Sequence, residues 1–284
     1  MVRTAVIGAA SQLGRHVPAD VRLGHQDIDL AEPETIARAL DAAMPGGVVL
    51  TAAYTDVDGC ETNREYAERV NGEGPGHVAR WCERNGAWLV YISTDYVFDG
   101  QASTPYREDD APHPINTYGL TKLRGERAVQ EACGRHYIVR ASWIFGPGGN
   151  NFIAKILAAA SRGAPLRGVD NEISAPTYAL DLAGKLTELA ASGQYGLYHL
   201  PNAGSCSRLA YMHAILHLAG VNLPIEPIKL ADYPRAARPP AYSVLENVRG
   251  AALGMYSRSW REALREYMQR AAASPVPSVP FPSP

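Results

Sequence analysis

The sequence predicts an α/β fold, a Rossmann-type doubly wound parallel sheet with a smaller, discontinuous lobe beside it. Three observations predict it. Short β-branched runs alternate with longer helical patterns through the first half, and glycines punctuate the loop after the first run. A later apolar run, "WLVYIS", breaks off into Thr94, Asp95 and Tyr96. Strands separated by helices make a parallel sheet covered on both faces, with right-handed crossovers.

Taken in order, "TAVIGAA" is the first strand, followed by an abbreviated helix and a brief second strand within "RHVPADVRLGHQDIDLAEPETI". A helix is expected over 34–44, a strand at "GGVVLTAA", and one helix over 63–85. "AWLVYIS", a helix over 116–133 and "HYIVRAS" continue the alternation; "TYALDLAGKLTELAA" and "GLYHL" return the chain to the same sheet. Residues 1–145 and 177–203 thus form the sheet domain. The segments 146–176 and 204–272, richer in Pro and carrying helices such as "NFIAKILAAASRG" and "SRSWREALREYMQR", form the smaller lobe. The Pro- and Ser-rich stretch 273–284 has too little apolar material for a packed core and is expected to be disordered.

Charge excludes some partners. The 284 residues carry 27 basic and 29 acidic side chains, well interspersed, for a net −2, so no basic stripe marks a nucleic-acid or anionic-membrane surface. No apolar run approaches the ~18 residues of a membrane span. The opening "VRTAVIGAAS" reads as a strand and not as a signal peptide, so a cytoplasmic protein is expected. Cys60, Cys82, Cys133 and Cys206 form no C-x-x-C pair, so free thiols are expected, with no structural zinc.

Gly8 and Gly14 stand six apart between a strand and a helical stretch, with Ser11 at the middle position of a G-x-x-G-x-x-G pattern. Such a loop lets backbone N–H groups approach a dinucleotide pyrophosphate; a plain strand-to-helix turn has the same signature. An acidic residue about 20 positions beyond the glycines would bind the adenosine ribose. Asp29, followed by Leu30, suits that place, whereas Asp27 reads as a surface residue and Arg22 as a solvated charge before a 2′-phosphate contact. NADPH and NADH both stay open.

Parallel sheets bind ligands beyond the carboxyl ends of their strands. There, "VVLTAAYTDVDGCE" ends in Ala52 and Ala53, small enough for a flat cofactor, before Tyr54, and "WLVYISTDYVFDG" presents Thr94. Tyr118 and Lys122, four apart in "NTYGLTKLRGE", rise from one helix face. A free phenol titrates near ~10. A neighbouring ammonium is expected to lower that value and fit the phenol for proton transfer, while also holding a nicotinamide ribose.

The strings "AAYTDVDGCE", "YISTDYVFDG", "STPYREDDAPHPINTYGLTKLRGE", "VRASWIFGPGGNNF", "SAPTYALDLA" and "GLYHL" together resemble the extended short-chain dehydrogenase/reductase superfamily, and within it the dTDP-4-dehydrorhamnose reductases. The resemblance runs over roughly residues 1–270. It implies reduction of the 4-keto group of a dTDP-6-deoxy-hexulose with NADPH or NADH, the last step to dTDP-L-rhamnose. It implies catalytic roles for Thr94, Tyr118 and Lys122, and a cofactor lined by Gly8, Ser11, Gln12, Leu13, Gly14, Asp29, Leu30, Ala52, Ala53 and Tyr54 together with Tyr118 and Lys122. A sugar bordered by Thr55, Val57, Thr94, Tyr96, Trp143 and Asn151 follows from the same matching, with Arg235 or Arg238 reaching the diphosphate and the smaller lobe binding substrate.

The sequence also departs from the family's pattern. Ser11 replaces a glycine, Thr51 stands where Asn is common, and the first helix is short. Some relatives dimerise through Mg²⁺; Glu262 and Glu266 form no matching cluster, so no metal is expected, and a homodimer is left open. Two other readings share these residues: a reductase of another nucleotide-linked 4-keto-deoxysugar, and a non-catalytic dinucleotide-binding regulator resembling the regulatory subunit of methionine adenosyltransferase.

Overall fold

The computed structural model describes residues 2–148 and 151–273. The stretch read as a disordered tail lies, apart from Ala273, outside the described residues. From the N-terminus, β1 (Thr4–Ile7), β2 (Val21–Leu23), β3 (Gly47–Leu50), β4 (Trp88–Thr94) and β5 (His136–Ala141) alternate with helical segments. The chain then lays down four short strands, β6 (Ile144–Phe145), β7 (Leu166–Val169), β8 (Ile173–Ser174) and β9 (Thr177–Tyr178). It returns in β10 (Gly196–His199) and finishes with β11 (Cys206–Ser207) and β12 (Ile225–Ile228).

β10, β5, β4, β3, β1 and β2 make one sheet in that order, every neighbouring pair parallel. The chain leaves β1 toward β2 on one side and β3 on the other, so the switch point and its crevice fall between β1 and β3. Register fixes what reaches that crevice. Leu50, the last residue of β3, sits opposite Tyr91, so β4 runs three residues farther and carries Thr94 to the rim beside Ala141.

Both faces are covered, as strands apolar on both sides require. One face packs against α1 (Pro33–Ala43) through Ile36 and Leu40 and against Val78, Trp81 and Cys82. The other packs against Leu182, Leu186 and Leu189 of a helix over Ala179–Ser192 and, at the β1 end, against Leu13 and Val17. No regular α-helix joins β1 to β2: a three-residue 3₁₀ turn, Gly14–His16, does so.

The helix expected over 63–85 is broken up. Asp56 caps α2 (Val57–Thr62) by accepting from Gly59 N at 3.0 Å, Asn63 leaves helical dihedrals, and α3 (Arg64–Ala67) widens into a π-helical stretch, Glu68–Glu73. Pro75, in the first turn of α4 (Gly74–Asn85), has no N–H to give an α ladder, so the wider turn precedes it. The widening turns Asn71 inward, where its amide clamps the Tyr54 backbone, accepting from N at 2.9 Å and donating to O at 3.0 Å. No periodicity signals that clamp. α5 (Thr117–Ala132) forms nearly where expected.

Outside the sheet, β6 pairs with β9, β7 with β12 and β8 with β11, pairings the sequence reading did not anticipate. α6 (Phe152–Ser161) and helices over Arg208–Leu218 and Trp260–Ala273 contribute to their own cluster around Phe145, Tyr211, Trp260 and Leu264. All four cysteines are free, as expected, and the structure places all four in buried positions. Among the described residues no helix is long and apolar enough to cross a membrane.

Candidate active site

A cleft of about 700 Å³ opens over the carboxyl ends of the strands. Gly8, Ser11, Gln12, Leu13, Asp29, Leu30, Ala52, Ala53 and Tyr54 line it, as do Thr55, Val57, Thr94, Tyr96, Tyr118, Lys122 and Trp143. Two expected residues are placed elsewhere. Gly14 lies buried behind the loop, where a Cβ would collide with Gly8 O. Asn151 caps α6, accepting from Ala154 N at 3.0 Å and donating to Gly146 O at 2.9 Å.

The loop after β1 is tight because Gly8, at φ +89°, packs directly on the chain just past β3: a Cβ there would stand 2.6 Å from Ala52 N. Ser11 makes up for the missing middle glycine. Its Oγ accepts from Gly14 N at 2.9 Å and lies 3.0 Å from Thr51 Oγ1, which donates to the Ile7 and Gly8 carbonyls at 3.0 and 3.1 Å. The assignment that satisfies every group has Ser11 donating to Thr51. Both departures from the family pattern therefore answer each other, and the Ser11 proton is held by the protein. The N–H groups of Gln12 and Leu13 have no hydrogen-bond partner among the described residues, and both residues line the cleft, which suits an anionic group there. Arg22 is exposed, as expected of a solvated charge, and also donates to the carbonyls of Ala9, Gly14 and Val17 at 3.2, 2.8 and 3.1 Å.

On the other side of the cleft, α5 is positioned by its cap and by a close approach. Asn116 accepts from Gly119 N at 2.8 Å and donates to Arg238 O at 2.9 Å, and Gly119 packs so closely on Tyr96 O that no side chain fits between them. Tyr118 then meets Tyr96 edge to face at 5.7 Å, beside the Thr94 hydroxyl. Lys122, 2% exposed, donates to Ile92 O at 2.8 Å and lies 4.2 Å from the centre of the Tyr91 ring.

The expected tuning of the phenol by the ammonium is corrected. Burial dominates both groups: it raises the Tyr118 pKa, helped by the Asp95 carboxylate and opposed by the Thr94 hydrogen bond, so the phenol stays protonated. Burial also lowers Lys122 to about 7, with Glu126 pulling the other way. The hydroxyls of "YISTDY" also divide. Thr94 and Tyr96 line the cleft; Ser93 lines it too, but its hydroxyl is spent on Glu126, donating to Oε1 at 2.5 Å. Arg140 completes that buried pair with bonds of 2.8 and 2.6 Å to Glu126.

Asp95, 2% exposed, accepts from Thr94 at 3.1 Å and from Ser174 and Ser243 at 3.2 and 2.5 Å, and burial raises its pKa to about 6. Asp95, Glu126 and Asn71 were not among the residues expected at the site. Asp95 is a carboxylate at the end of an apolar run, but Glu126 and Asn71 stand among polar and charged neighbours that give no such signal. Trp143 holds φ +45°, a strained value for a large side chain, with Arg208 stacked 3.5 Å over its ring and its Nε1 buried without a partner. Arg235 is paired with Asp58 at 3.2 Å. Glu266 bonds Arg258 at 2.5 Å and Glu262 bonds Ser259, and among the described residues no cluster of three metal-ligating side chains exists.

The comparisons agree with this geometry. The family model described as "RmlD substrate binding domain" matches residues 1–273. The chain is 35% identical to the spore coat polysaccharide biosynthesis protein SpsK of Bacillus subtilis, covering 96% of this chain and 99% of that one. It is 37% identical to a dTDP-4-dehydrorhamnose reductase of Streptomyces griseus, covering 93% and 92%. A crystal structure of dTDP-4-dehydrorhamnose reductase from Bacillus anthracis in complex with NADP superposes with a TM-score of 0.92 at 32% identity, covering 95% of this chain and 99% of that one. With a nucleotide-sized cleft at the sheet's switch point and a family model spanning nearly the whole chain, this protein belongs to the dTDP-4-dehydrorhamnose reductase family.

Proposed function

We propose that the protein reduces the 4-keto group of a dTDP-linked 6-deoxy-hexulose with NADPH or NADH in the cytoplasm, with dTDP-4-dehydrorhamnose as substrate and dTDP-L-rhamnose as product. One observation carries the reading: Thr94 at the end of β4 and Tyr118 and Lys122 on α5 line the same cleft as the glycine loop near the N-terminus. A bound dihydronicotinamide supplies the hydride. The unpartnered N–H groups of Gln12 and Leu13 receive the pyrophosphate, Ala52 and Ala53 leave room for a flat ring, and Lys122 holds the ribose.

Tyr118, kept protonated by burial, delivers its proton to the sugar oxygen as negative charge builds there, so the contact strengthens toward the transition state. Thr94 orients that phenol. Thr55, Val57, Tyr96 and Trp143 border the sugar, and the elements outside the sheet form the substrate lobe.

The test is NADPH consumption with dTDP-4-keto-6-deoxy-L-lyxo-hexulose generated in situ, for the native protein and Tyr118→Phe. Turnover by the native protein is expected to fall by about 10²–10⁴-fold in the variant, with NADPH affinity retained. Undiminished turnover in the variant removes Tyr118 as proton donor, and none in either protein favours a non-catalytic regulator. NMR of the product distinguishes rhamnose from its C4 epimer.

A further inference from the structure

The first helix of a dinucleotide-binding sheet ordinarily points its N-terminus at the pyrophosphate and lends it positive potential. Here only a three-residue 3₁₀ turn separates the glycine loop from the run to β2. So short a turn aligns too few peptide dipoles to act that way. The loop itself is nevertheless suited to an anion, since Gln12 and Leu13 line the cleft and their N–H groups have no partner among the described residues.

Two guanidinium groups stand behind it. Arg15 donates through Nε to Ser11 O at 3.2 Å and through Nη2 to Ala10 O at 2.7 Å. Arg22 donates to the carbonyls of Ala9, Gly14 and Val17. Five loop and turn carbonyls are thereby drawn to the back of the loop. The charges are felt nearby: after burial, the fields of Arg15 and Arg22 help hold the His16 pKa down. The acids in the same stretch are tied to local backbone, Asp20 to Thr4 N at 2.8 Å, Asp27 to Gly24 N at 2.8 Å and Asp29 to Ala31 N at 2.9 Å.

We propose that Arg15 and Arg22 are positioning residues that replace the missing helix, orienting the loop's N–H groups and supplying from behind the positive charge that a bound dinucleotide diphosphate needs. The inference rests on the dinucleotide reading of the cleft. Neither side chain lines the cleft. Their effect passes through the loop carbonyls and through space, over distances within which about 0.05 M salt leaves a charge felt and about 0.5 M salt screens it.

Fluorescence titration of the full-length protein with NADPH and with NADH, at those two ionic strengths, tests it. The double variant Arg15→Gln/Arg22→Gln is expected to bind both dinucleotides about tenfold more weakly at low salt, and within about threefold of native at high salt. Arg15→Lys/Arg22→Lys, which keeps the charges but not the forked bonds, is expected to recover most of the low-salt affinity. Equal affinities for native and Gln variants at low salt overturn the proposal while leaving the cofactor reading intact. So does a Lys variant as weak as the Gln one with a matching fall in melting temperature, because the arginines are then only structural tethers. A native protein that binds neither dinucleotide overturns the cofactor reading and this inference together.

Discussion

The hydroxyl of Thr94 donates to the carboxylate of its own neighbour, Asp95, at 3.1 Å, and accepts from Tyr96 N at 3.2 Å. An Asp95 acceptor that is itself held by Ser174 and Ser243, from segments outside the sheet, ties the orientation of a catalytic-cleft hydroxyl to how those segments dock. It also places a buried negative charge beside Tyr118.

Asp95 binds its proton more tightly when folded, its pKa rising from 3.8 to about 6 through burial. Its contribution to stability is therefore complete below 3.8 and is lost as pH rises through about 6. Activity should follow the opposite course, since protonated Asp95 no longer accepts strongly from Thr94. A kcat/KM profile of the native protein is expected to fall on the acid side near pH 6, and Asp95→Asn to lose that limb. Because the Asp95 charge helps raise Tyr118, the variant's alkaline limb should move to lower pH. A native profile flat across pH 5–7 refutes the role of Asp95.

Lys122 illustrates function held against stability. Its pKa is lowered from 10.5 to about 7 by burial, so the stability it contributes is complete above 10.5 and is lost as pH falls through about 7. Lys122→Met removes the buried charge at nearly constant volume. The variant is expected to gain roughly 2 kcal/mol relative to native as pH falls from about 9 to about 7 and little more below that, read from urea midpoints, while turnover drops at least about a hundredfold. A midpoint difference that does not change with pH would contradict it.

Glu126 has two duties, pairing with Arg140 and favouring the charged form of Lys122. Glu126→Gln leaves Arg140, 3% exposed, as an uncompensated buried cation, which costs about 3–5 kcal/mol. Adding Arg140→Met should recover much of that loss in a thermal melt, without restoring activity, because Lys122 still lacks its supporting carboxylate. Full recovery of both would show that Glu126 acts on stability alone.

Ser11→Ala removes the acceptor of Gly14 N and the donor to Thr51, at an expected cost of about 1–2 kcal/mol in stability. Since the Ser11 proton is held by Thr51, NADPH affinity should stay within about threefold of native. A much larger loss, measured by the same titration in a well-folded variant, would mean that the hydroxyl serves the ligand directly.

Much of this was legible in residues alone, because it follows from local rules. Apolar runs separated by helical patterns specify a parallel sheet, the glycine spacing marks the loop between Ile7 and Gly14, and a four-residue interval puts Tyr118 and Lys122 on one helix face. Thr94 could be placed at the end of its strand for the same reason. The hidden acids and amides could not. Glu126, Asn71 and Asp95 lie in runs that otherwise read as helix or strand, and their partners Arg140, Tyr54 and Ser243 are remote in sequence.

What the sequence by itself determined was the alternation of strands and helices in the sheet, the family and most of the side chains that line the cleft. Only the tertiary structure decided how those side chains are charged and which way they point. Desolvation depends on every atom packed around a group, and not on its neighbours along the chain. That is why proximity of an ammonium to a phenol predicted a lowered Tyr118 pKa, and why burial under β4 and α5 reversed it.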